Sequence, residues 1–153
     1  MRAHDLISVF PFSKSSTIEL VSYGAFDEEA KGPPFGNDGR VDESKFVEQK
    51  ALTKNQVDSL VDILYNYTFD PKLDSIIYGI SECFWPRNAF IFRDKKHKIV
   101  ARIGVCFECS RFEFYPQQFK PVDFCDGKVD MLMGFMQRAG IRFGLKRPAG
   151  IEK

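Results

Sequence analysis

Two strand-like runs, Asn88–Arg93 and Lys98–Phe107, flank the four polar residues Asp94-Lys95-Lys96-His97. Apolar, β-branched and aromatic runs joined by a short polar connection specify a β-hairpin. Pairing Arg93 with Lys98 sets Phe92 opposite Ile99 and Phe90 opposite Ala101, with Ile103, Val105 and Phe107 continuing that apolar face. The other face carries Ile91, Val100, Arg102, Gly104, Cys106 and Glu108, and Arg87 falls opposite Gly104, whose missing side chain leaves room. A third run, Arg111–Tyr115, alternates Phe112 and Phe114 with polar neighbours until Pro116 ends it.

The remaining segments supply more strands and two helices. Leu6–Phe10 reads as a strand bounded by Pro11, and Thr17–Tyr23 alternates as a half-buried strand. Residues 24–44 form a long excursion rich in Gly, Pro and acids, read as a solvated hairpin loop. A short strand at Phe46–Leu52 precedes Thr53-Lys54-Asn55-Gln56, which has the form of a capping box. Val57, Leu60, Val61 and Leu64 then recur at helical spacing and mark one core-facing stripe. Leu73–Ile80 allows a further helical turn or two. The last helix is expected over Gly127–Ala139, with Asp126 as N-cap, a stripe of Val129, Leu132, Met133 and Met136, and Gly140 as its stop. The tail over residues 145–153 is expected to fray. This order predicts an α+β fold: a single domain with an antiparallel β-sheet and about two main helices packed on one face.

A chain of 153 residues buries roughly two-thirds of its unfolded surface and needs no metal or disulfide to make a core. No stretch approaches the ~18 continuous apolar residues that cross a bilayer. No secretory leader is visible, so the expected compartment is the cytoplasm if the chain is complete, and the cell envelope or periplasm if a leader has been removed. The net charge of +1 argues against a nucleic-acid binder. Residues 1–76 nevertheless carry 8 Lys/Arg against 13 Asp/Glu, and residues 77–153 carry 14 against 8. Two oppositely charged surfaces of one domain suit docking with another protein better than tracking a phosphate backbone.

Little in the sequence points to catalysis. His4 lies in the N-terminal arm and His97 in a charged turn; no GxSxG, P-loop, GxGxxG or HExxH string is present. No catalytic residue, cofactor or metal is therefore expected. The cysteines are Cys83, Cys106, Cys109 and Cys125. Cys106 and Cys109 have CxxC spacing, but on a strand that odd spacing sends the two thiols to opposite faces. Packed free thiols are the favoured reading, with structural disulfides and metal ligation as alternatives. Cys125, just before a helix, is positioned for a lowered thiol pKa but has no adjacent base.

The strings Cys83-Phe-Trp-Pro-Arg-Asn-Ala-Phe-Ile-Phe-Arg-Asp94 and Ile103-Gly-Val-Cys-Phe-Glu-Cys109, with Leu52-Thr53-Lys-Asn-Gln56 before them and Gly140-Ile-Arg-Phe-Gly144 after, cover roughly residues 52–144. Together they resemble a family of small proteins of unknown function from Bacteroidetes-type bacteria, whose shared core is C-x-x-P-R-N…C-F-E-C. The resemblance implies no activity, substrate or cofactor. It singles out Pro86, Arg87, Asn88, Cys106, Glu108 and Cys109, and it implies that an exported member would favour disulfides. Arg87, Arg102 and Glu108 could line a small polar pocket beside the hairpin in which arginine forks hold an anion. The scaffold reading competes: Arg87 and Asn88 satisfy backbone at the hairpin entrance, and Glu108 neutralises Arg87 or Arg111.

The leading expectation is a non-enzymatic protein-binding module, either immunity- or inhibitor-like or an envelope accessory protein. Its partner surface draws on the 24–44 excursion and the aromatic-rich run 112–124. The rival is a thiol redox or zinc-binding protein using Cys83, Cys106 and Cys109.

Overall fold

A computed structural model describes residues 9–24, 34–36, 39–66, 86–108, 111–116 and 126–145. Its strands are β1 (Thr17–Tyr23), β2 (Phe46–Ala51), β3 (Asn88–Arg93), β4 (Ile99–Cys106) and β5 (Arg111–Tyr115). They form one sheet in the order β2-β1-β3-β4-β5, with every neighbouring pair antiparallel. Because β2 and β3 both run against β1, they are parallel to each other. The described part of the connection between them carries α1 (Lys54–Val61), which continues as a π-helical turn over Asp62–Asn66 and packs on one face of the sheet. Helix α2 spans Asp126–Arg138. This is the expected α+β fold.

The helices form where the sequence supplies ends and a stripe. Thr53 accepts from the Gln56 backbone N–H at 3.3 Å, and Gln56 Oε1 accepts from the Thr53 N–H at 2.9 Å, completing the capping box. At the end of α2 the Ile141 N–H donates to Met136 O and the Gly140 N–H to Gln137 O, a Schellman pair that the positive φ of Gly140 (99°) permits. Helix α2 begins and ends one residue earlier than expected.

One face of the sheet presents Ile18, Leu20, Phe90, Phe92, Ala101, Ile103 and Val105 to both helices, whose Leu60, Val61, Leu64, Val129, Leu132 and Met136 complete the core. Burying each of these side chains other than Ala101 contributes about 1.5–3 kcal/mol. Phe112 and Phe114 of β5 pack at the margin of the same core. Lys128 is fully buried, and its Nζ donates to Leu64 O at 2.9 Å, tying α2 to the end of α1.

Three expectations change. The hairpin pairs Phe92 with Ala101, Phe90 with Ile103 and Ala89 with Gly104, two residues away from the expected register. Asp94 N–H donates to Lys98 O, so the loop is the three residues Lys95–His97, with His97 at φ 64°. That gives one residue of offset, and an irregularity between Phe92 and Arg93 gives the second. Two odd shifts cancel for facing, so residues from Ala101 onward keep their expected sides while Ile99 moves to the opposite one.

The second change concerns the excursion. Its described residues beyond Gly24, 34–36 and 39–44, are not simply solvated. Phe35 and Val41 form a β-bridge and pack with Phe46 against Val21, Tyr23, Ala89, Ile91 and Ile99 on the second face of the sheet. A strand covered on both sides explains why β3 is buried along its whole length. We call residues 34–36 and 39–45 the strap. Third, Val9 and Phe10, the described end of the expected Leu6–Phe10 strand, lie in a bend and turn, more than a third exposed. Leu73–Ile80 lies outside the described residues.

Candidate functional site

The residues singled out by sequence fall into two separate groups. At one end of the sheet, Arg87 and Glu108 form an ion pair at 3.5 Å, with 35% and 39% of their side chains exposed. Asn88 is fully buried and its Nδ2 donates to Phe143 O at 2.9 Å. Gly144 lies against this pair. A Cβ there would stand 2.5 Å from Asn88 Oδ1 and 2.7 Å from Arg87 Cβ, and its φ of 81° also calls for glycine. Next along the same sheet row, Glu48 accepts from Ser22 Oγ at 2.7 Å, from the Phe143 N–H at 2.9 Å and from the Arg142 N–H at 3.1 Å. Partial burial pushes the Glu48 carboxyl up, but the Ser22 hydroxyl, the two backbone N–H groups and Lys50 outweigh it and hold it below its usual range. The Pro86-Arg87-Asn88 and Gly140–Gly144 strings thus meet, and what they build is a clamp on the C-terminal segment. Pro86 is half-buried at its entrance.

Arg102 belongs to the second group. It lies opposite Ile91, four residues further along the chain than Arg87, and its ion-pair partner is Glu113, so it does not join the Arg87–Glu108 pair. It projects onto the strap side, only 5% exposed. Its guanidinium sits 4.4 Å from the centroid of Phe35 and 5.6 Å from that of Tyr115, and Nη2 stands 3.8 Å from Glu113 Oε2. Its buried Nε has no hydrogen-bond partner among the described residues. Gly39, at φ 83°, lets the strap turn close over Tyr115: a Cβ there would meet the Tyr115 hydroxyl at 2.5 Å. Tyr23 packs edge-on to Phe35 with centroids 5.4 Å apart. Burial pushes its phenol far up, with the Arg102 charge pulling the other way. Arg111 pairs across the β4–β5 ladder with Cys106.

A third cluster has little signature in the sequence. Arg93 Nε donates to Glu19 and its Nη2 to Glu43, while Nη1 donates to His97 O at 3.0 Å. Glu19 also accepts from Gln49 Nε2 at 2.6 Å. Arg93 and Glu19 are almost wholly buried, and Glu43 belongs to the strap. A buried arginine thus fastens the strap to the sheet. The only available signal was an arginine ending an otherwise apolar strand.

Cys106 is a free thiol, 2% exposed. Cys83, Cys109 and Cys125 lie outside the described residues, and no group of three or more potential metal ligands occurs among the described ones. No helix of the described residues is long and apolar enough to cross a membrane. Comparison with family models, curated proteins and solved structures finds no match.

Proposed function

We propose that this protein is a non-enzymatic module that binds a partner protein through the surface where the strap meets β5. The observation that carries this reading is convergence. The excursion and the aromatic-rich run, far apart in sequence, come together around Arg102, with Phe35 and Tyr115 flanking one guanidinium. Exposed charges of both signs rim this ground, Arg40 on the strap beside Gly39 and Glu113 on β5. Aromatic and arginine groups framed by a polar rim are the composition of protein-docking patches. An immunity or inhibitor protein fits such a surface, as does an envelope accessory protein.

Affinity capture from the source cells tests the reading. The pair Arg40→Ala, Glu113→Gln should reduce recovery of the bound partner roughly tenfold. Met131→Ala, on the exposed side of α2, should leave it unchanged. Undiminished capture by the double variant, with native circular dichroism, would refute the assignment.

A further inference from the structure

The far edge of the sheet is a separate matter. Strand β2 pairs with β1 on one side, and among the described residues no strand pairs with its other side. Val47, Gln49, Lys50 and Ala51 are all exposed, Val47 by 57%. Edge strands of this kind invite pairing with another strand.

We infer that β2 pairs antiparallel with β2 of a second copy of this chain, centred on Gln49. The argument is charge complementarity along the strand. A two-fold axis normal to the sheet matches only positions that share a face. Centring it on Glu48 opposes two carboxylates, and centring it on Lys50 opposes two ammonium groups. Centring it on Gln49 places Glu48 opposite Lys50 of the second copy, twice, and brings Val47 beside Ala51. Opposite charges facing across strands stabilise, and like charges facing destabilise. A second observation marks the same edge. Of the large apolar side chains most exposed among the described residues, Val47 lies on β2, and Phe143 (40% exposed) donates its N–H to Glu48. Val47 lies on the pairing line and the Phe143 backbone is fastened to Glu48 on it, so a second copy would add its strand beside both. The axis keeps both helix layers on one side, joining two five-stranded sheets into one continuous sheet.

Sedimentation equilibrium of the full chain over a wide concentration range reads the association directly. The mass should rise from that of the 17.6 kDa chain towards twice that value. Lys50→Glu, which sets Glu48 against a carboxylate at both ends, should weaken the dimer at least about tenfold. Lys54→Glu, the same charge change just off the edge, should not. Gln49→Cys should form a disulfide-linked dimer on mild oxidation where the wild type does not, because opposed antiparallel residues lie about 4.5–5.5 Å apart at Cα, within disulfide reach. A monomer at every concentration with no Gln49→Cys cross-link would overturn the inference. So would a dimer that Lys50→Glu leaves intact and Gln49→Cys fails to trap.

Discussion

Replacing Glu48 by alanine removes the acceptor that holds the C-terminal segment to the sheet. Three donors lose it: Ser22 Oγ at 2.7 Å, Phe143 N–H at 2.9 Å and Arg142 N–H at 3.1 Å. Hydrogen bonds to a charged group contribute about 1.5–3 kcal/mol when buried. The two backbone donors are in exposed surroundings, so we count roughly 0.5 kcal/mol for each and about 1 kcal/mol for the bond from buried Ser22 to the partly exposed carboxylate, ~2 kcal/mol in all. For a domain of this size that lowers Tm by roughly 4–8 °C in a calorimetric scan near neutral pH. The loss should also depend on pH. Because the folded carboxyl sits below its ordinary value of 4.5, its contribution is present above that value and disappears as pH falls through the folded pKa. Wild type and Glu48→Gln should therefore differ in Tm at pH 7 and converge as acid protonates Glu48. A Tm difference that persists unchanged in acid, or no difference at pH 7, would refute the clamp.

Three further perturbations probe the rest of the scaffold. Arg93→Met strands the Glu19 carboxylate in the sheet and should cost about 3–5 kcal/mol in a urea titration, with Glu19→Gln recovering part of it. Gly39→Ala should destabilise through its positive φ and the Tyr115 hydroxyl, and Tyr115→Phe in that background should relieve the steric share; equal stability of the single and double variants would show that the strap does not lie on Tyr115. Burial raises the Tyr23 phenol above its ordinary 10.0, so the neutral form stabilises the fold, and this contribution begins to fade once pH passes 10. Alkaline spectrophotometric titration should find one tyrosine that ionises only when the protein unfolds.

Much of the fold could be read from short-range patterns, because those patterns act locally. The Thr53 capping box, the Leu60–Leu64 stripe, the Gly140 stop and the spans of β1, β3 and β5 depend on neighbours within a few residues. The hairpin register was not legible in the same way. It turned on His97 adopting a left-handed φ, with Asp94 Oδ1 accepting from the Lys96 and Lys98 N–H groups, and on an irregularity beside Arg93. The strap is not legible in the sequence because Phe35 and Val41 are isolated apolar residues among glycines and acids, and only the tertiary fold shows that they cover Tyr23 and Ile91. Arg87 and Asn88 stand out in the sequence, but Phe143 and Gly144, which they meet, lie about 55 residues away from Asn88 in the chain, beyond any periodicity. The Arg93 cluster joins four segments in the same way.

The docking surface at the strap and β5 is tested most directly by a photo-cross-linking residue placed in turn at Arg40, Glu113 and Met131 in the source cells. The account predicts one and the same protein adduct from Arg40 and Glu113, lost when excess unlabelled chain competes, and absent from Met131 on the helix layer. Different adducts from Arg40 and Glu113, none from either, or the same adduct from Met131 would contradict it.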